Sequence, residues 1–152
     1  MGRRAVLAAI AALWLCGTAS AHTDAERQVA FEWPAQGIIT SPFGNDNGRW
    51  HPGLDIGVLR SLDVVAAAPG LVEAIGEPAG FEGYGNVVLV RVSPSLETLY
   101  AHLAMEDVHV GDVVLEGARL GTAGCTGWCT GTHLHFEVRV NGRAVSPLQF
   151  LG

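Results

Sequence analysis

Polar and apolar residues alternate through Gly131-Thr132-His133-Leu134-His135-Phe136-Glu137. That period predicts a half-buried strand with His133, His135 and Glu137 on one face and Leu134, Phe136 and Val138 on the other. Similar signals run along much of the chain. Gly37 to Phe43 reads as a short strand ending in a turn, and Asn45-Asp46-Asn47-Gly48 as a loop by composition. Val64–Ala68 and Leu71–Ile75 are strand-like runs broken by Pro69-Gly70, which predicts a hairpin. After a turn at Gly83-Tyr84-Gly85-Asn86, Val87–Val92 is apolar enough for a central strand. Glu97–Ala101 predicts a returning strand that ends at His102-Leu103. Leu103–Asp107 predicts one short helical turn, and Val108–Gly111 and Val113–Leu120 predict short strands. Gly121–Gly131 is a Gly- and Thr-rich loop, Asn141-Gly142 is a hairpin signal, and Ser146–Phe150 closes the chain. Beyond the first residues, no stretch of about ten residues keeps helical periodicity. The expected fold is therefore all-β: a mostly antiparallel, sandwich-like or barrel-like single domain.

The first 21 residues read as a leader rather than as part of that fold. Arg3-Arg4 precede an apolar run from Ala5 to Cys16, and Ala19-Ser20-Ala21 is a small-residue cleavage signal. The expected boundaries are a signal peptide over 1–21, a short lead-in over 22–30 and the folded domain over 31–151. The apolar run is too short to cross a bilayer as a mature helix. Leu15 disfavours acylation of Cys16, and the residues around Arg3-Arg4 give twin-arginine export little support. Export implies an oxidising compartment, in which Cys125 and Cys129 can pair as a disulfide. In extended chain their Cα atoms would lie about 13 Å apart, so the chain must turn between them, and Gly127 is free to do so. The rival reading is a pair of thiols that bind a soft metal.

Composition narrows the partners. The 152 residues are 49% hydrophobic and include twenty glycines, which suits short strands and tight turns. All nine basic side chains are arginine, against fifteen acids, for a net charge of −6. Loss of the two leader arginines would take it to −8. Nucleic acid, which needs a basic footprint, is an unsuitable partner.

Metal-ligand chemistry recurs at three separated places. His51-Pro52-Gly53-Leu54-Asp55 cannot be a regular helix, but a turn followed by a strand can bring His51 and Asp55 to one point. The alternative is a loop histidine beside an aspartate that holds the turn. His102 can equally be an ordinary strand-end histidine. His133 and His135 can be a paired site, one binding a metal and one acting on what it binds, or surface histidines on an edge strand.

Taken together, HPGLD at 51–55, YAHL at 100–103 and GTHLHFEV at 131–138 resemble the zinc endopeptidases of the lysostaphin and LytM type, the M23 family. ITSPFG at 39–44, GYGN at 83–86 and NGRAVSPLQFL at 141–151 support the resemblance, which covers about residues 31–151. It implies one zinc ion held by His51, Asp55 and His135, with His133 and His102 as the catalytic pair. It also implies hydrolysis of peptide bonds in peptidoglycan stems or cross-links. Thr132 stands where the family often has Pro, Cys125 and Cys129 where Ser-like residues are common, and Ser61 where Gly is frequent. Glu137 receives no role beyond partnering a neighbour.

The expected setting is the periplasm, or else outside the cell, with peptidoglycan peptides as substrate and a periplasmic adaptor or regulator as further partner. A rival class is a non-catalytic LytM-like wall-binding module or amidase activator; such regulators typically have lost ligands, whereas all five residues stand here. A β-rich carrier or sugar-handling domain of related architecture would need one Lys or a His pair, and the chain contains no Lys.

Overall fold

The computed structural model describes residues 30–152. The leader and nearly all of the lead-in lie outside the described residues. In chain order the strands are β1 Ile38–Ser41, β2 Gly44–Asp46, β3 Arg49–His51, β4 Leu54–Gly57, β5 Asp63–Val65 and β6 Gly70–Gly76. There follow β7 Asn86–Arg91, β8 Leu96–Glu106, β9 Val113–Val114, β10 Arg119–Ala123, β11 Leu134–Val140 and β12 Arg143–Val145. One 3-10 turn, Pro147–Gln149, comes last.

Ten of these strands form one sheet in the order β1-β4-β11-β8-β7-β6-β9, with β12 beside β11 and β10 joining β8 to β5. Every strand pair is antiparallel. The fold is therefore all-β, as the alternating pattern implies. Leu134, Phe136 and Val138 of β11 join Leu54, Ile56, Tyr100 and Leu120 in the main core. Phe31 and Phe150 close it, their rings 5.3 Å apart. On the other side, Val87, Leu99 and Ala101 form a smaller buried cluster beneath Phe81 and Tyr84. β11 is thus buried on both faces from Leu134 to Val138, where alternation alone suggests one wet face.

Several local expectations are corrected. Asn45–Gly48 is a hairpin rather than a loop: β2 pairs with β3, and Asn47 (φ 50°) and Gly48 (φ 84°) take the two positive φ values of a tight turn. Val64–Ala68 and Leu71–Ile75 do not pair with each other. β5 pairs with β10, and β6 pairs with β7 and β9. Fully buried Ala66-Ala67-Ala68 carry the chain between them through the core, where the Ala67 N–H donates to the Tyr100 hydroxyl at 2.8 Å. Leu103–Asp107 is not helical, because β10 pairs with β8 out to Glu106. Val108–Gly111 is a turn rather than a strand, and Val113–Leu120 keeps strand geometry only at its two ends.

Candidate active site

Cross-strand register brings the first three chemically interesting side chains together. Asp55 sits opposite His135 in the β4–β11 pair, and the β2–β3 hairpin delivers His51 at its end. His51 Nε2, Asp55 Oδ1 and His135 Nδ1 converge: the two nitrogens are 3.0 Å apart and lie 3.2 and 2.8 Å from the carboxylate oxygen. These three are the group among the described residues that could hold a metal ion. The remaining ring nitrogens are engaged elsewhere. His51 Nδ1 donates to the Pro42 carbonyl at 2.9 Å, with the Ser41 hydroxyl at 3.2 Å. His135 Nε2 donates to Glu137 Oε1 at 3.1 Å. With those protons assigned, the remaining nitrogens of His51 and His135 face each other beside a carboxylate, an arrangement that calls for a cation between them, a proton or a metal ion. Donors about 2.0 Å from a tetrahedral centre would stand about 3.3 Å apart, so the donor set fits zinc. Gly53 makes this approach feasible, since a Cβ there would meet His135 Cε1 at 2.6 Å.

His102 reaches the same place by an irregularity. Asn86 pairs with Leu103 and Val88 with Tyr100, so Val87 faces two residues, Ala101 and His102. Such a surplus kinks a strand and re-aims a side chain. His102 takes φ 60°, and its N–H donates to the Tyr84 carbonyl at 2.9 Å. Its ring lies 4.8 Å from that of His133 and 5.9 Å from that of His135. His133 stands just before β11, bridged to Gly124. Both imidazoles donate from Nδ1 to backbone carbonyls at 2.7 Å, His102 to Thr126 and His133 to Gly131. Each therefore keeps an unprotonated Nε2. His133 Nε2 is 3.7 Å from Asp55 Oδ1.

Electrostatics bind the group further. Burial pushes the Asp55 carboxyl up, but hydrogen bonds and positive charge from His135 and His51 outweigh it and hold Asp55 well below the usual carboxylate range. Burial also opposes charge on Glu137, yet His135, Tyr84 and Arg139 together bring its pKa down. For His102, burial is the leading cause of a lowered pKa. Burial would lower that of His135 too, but the Asp55 and Glu137 carboxylates reverse it and raise the pKa.

Glu137 has a larger part than its sequence position suggests. It is fully buried, accepts from the Tyr84 hydroxyl at 2.6 Å and from Arg139 at 2.5 Å, and fixes the ring of His135. Its place two residues after His135 on the same strand face was the available signal. Thr126 gives no comparable signal. The expected bond between Cys125 and Cys129 is present, with Cα atoms 5.3 Å apart. All five sequence-identified residues line one open cleft of about 640 Å³, with exposed Trp50 and Trp128 also at its walls.

This arrangement can be set against known proteins. The sequence matches the family described as Peptidase family M23 over residues 49–147. The chain belongs to peptidase family M23. It is 39% identical over 116 residues to the DD-carboxypeptidase/endopeptidase Mpg of Neisseria meningitidis serogroup B, covering 72% of this chain and 26% of that protein. It is 34% identical over 122 residues to the murein hydrolase activator NlpD of Salmonella dublin, covering 80% of this chain and 31% of that protein. Among solved M23-like structures, a zinc-containing peptidase from Vibrio cholerae aligns with a TM-score of 0.68 and 31% identity, covering 77% of this chain and 39% of that one. The chain spans between a quarter and a third of the length of these curated relatives.

Proposed function

We propose that this M23 protein is an exported zinc metalloendopeptidase that hydrolyses peptide bonds in peptidoglycan stem peptides or cross-links. The observation that carries the reading is the convergence of three metal donors and two further imidazoles on one cleft. His51, Asp55 and His135 are the ligands, and Glu137 orients His135. A zinc ion held there would supply Lewis acidity and make the attacking water more acidic. His133 accepts the proton of the attacking water at Nε2 and later returns one to the leaving amine. His102 directs its ring at the same space, where it orients the attacking water and, when protonated, stabilises the developing oxyanion. The periplasm is the setting this substrate favours.

The test is incubation of zinc-loaded protein with defined muropeptides, the fragments read by mass spectrometry. Asp55→Ala is expected to lose the metal. His133→Ala is expected to keep the metal and lose turnover by roughly 10²-fold or more. New fragments in the presence of the His133 variant would overturn the assignment.

The similarity to NlpD favours one further reading, that of an amidase activator. It predicts no fragments from the protein alone and glycan–peptide cleavage once a wall amidase is added. His133→Ala would then leave that stimulation intact.

A further inference from the structure

We propose that Thr126 is a positioning residue for His102, and that the Cys125–Cys129 bond serves to hold it in place. This rests on the peptidase reading, in which His102 acts on the reacting atoms.

Thr126 grips His102 from two sides. Its carbonyl accepts the Nδ1 proton of the ring at 2.7 Å. Its hydroxyl donates to the carbonyl of Leu103, the next residue, at 2.8 Å, and accepts from the Asn86 N–H at 3.0 Å. The Asn86–Leu103 pair is the last regular step before the surplus that throws His102 towards the cleft. One side chain therefore ties both strands together at one edge of that irregularity while the same residue's backbone fixes the ring. His102 needs such support, because a left-handed conformation is unfavourable for a residue with a Cβ. The carbonyl bond also leaves the lone pair on Nε2, the atom that can face a substrate.

The loop holding Thr126 is itself clamped. Gly127 (φ 70°) lies so close to the 83–85 turn that a Cβ would meet the Gly85 nitrogen at 2.3 Å. The Trp128 N–H donates to the Gly83 carbonyl at 2.7 Å. The disulfide closes the five residues 125–129 into a ring around this contact. At the far end, Gly124 accepts from the His133 N–H at 3.2 Å, and the Gly131 carbonyl accepts the His133 ring proton. One covalently closed loop thus carries a carbonyl for His102 and is flanked by Gly124 and Gly131, which hold His133, while none of its atoms belongs to the three-donor group.

The test compares Thr126→Val, which keeps the shape and loses the hydroxyl, with Thr126→Ser, which keeps the hydroxyl. A Cys125→Ser/Cys129→Ser variant opens the ring. Each is measured in the whole zinc-loaded protein for kcat and KM on cross-linked muropeptide dimers, for zinc by elemental analysis, and by NMR for the His102 Nδ1 proton. Thr126→Val and the double cysteine variant are expected to lower kcat roughly ten-fold or more, with KM within about two-fold and zinc retained. Thr126→Ser restores kcat. The protected His102 Nδ1 proton is expected in wild type and Thr126→Ser and to exchange rapidly in Thr126→Val. Unchanged kcat in Thr126→Val, or zinc lost along with activity, overturns the proposal. If Thr126→Val does not fold, unchanged kcat in the double cysteine variant does the same. A wild-type protein that cleaves nothing defeats the peptidase reading instead, while the exchange measurement still decides whether Thr126 fixes the ring.

Discussion

His135 carries opposing demands at the residue scale. Asp55 and Glu137 raise its pKa in the metal-free protein, yet a metal can bind its Nδ1 only without a proton there. Zinc uptake near neutral pH is therefore expected to release a proton. Titration calorimetry in two buffers of different ionisation heat checks this, and equal apparent heats would contradict it. The carboxylates act in the other sense. Asp55 and Glu137 have pKa values lower in the fold than in the unfolded chain, so the fold binds fewer protons there. Their stabilisation is complete above the ordinary carboxylate range and is lost as pH falls through the folded values. His102, also depressed, adds a loss that starts at higher pH, while raised His135 partly offsets it because its contribution is present in acid and is lost as pH rises. Denaturant melts of metal-free protein are expected to weaken from about pH 5 downwards. Glu137→Gln is expected to flatten that slope and to cost about 3 kcal/mol at neutral pH, since Arg139 loses its buried partner.

At the scale of elements, the motifs were legible wherever one short segment carries them. HPGLD depends on Gly53 because the His135 ring occupies the space of a side chain. Because a Cβ there would also meet the Phe136 carbonyl at 2.6 Å, Gly53→Ala is expected to lower the melting temperature and to weaken zinc binding by ten-fold or more, about 1.4 kcal/mol, read by competition with a chelator. Asn141-Gly142 marked its hairpin correctly, whereas Asn47-Gly48 offered the same signal amid polar neighbours and its strands are only three residues each. Pro69-Gly70 misled because partner choice is a long-range matter. β10, more than fifty residues later in the chain, takes β5 instead of β6. His102 was found by its motif, but its aim was not, because a one-residue surplus between paired strands exists only once both strands are in register.

The all-β class was visible at the scale of the whole molecule because alternation and turn residues run through most of the chain. The site was visible as a set of motifs, not as a place. His51 and His135 are 84 residues apart and meet because β4, which directly follows the β2–β3 hairpin, pairs with β11. Because the unfolded chain has no such site, zinc is expected to stabilise the fold by about 2.7 kcal/mol at a hundred times its dissociation constant. A melting temperature insensitive to zinc and chelator would contradict a metal shared between distant strands. The surplus residue opposite Val87 also bears on how such a sequence can change over time. Substitution leaves strand length alone, but removing one residue between Tyr100 and Leu103 would straighten β8 and take away the surplus that aims His102 at the cleft, while Tyr100 and Leu103 kept their partners Val88 and Asn86. Insertions and deletions are tolerable in the exposed turn at 77–80, where no ladder has to be kept in step. Across β8 the count of residues is itself under constraint, independently of which residues they are.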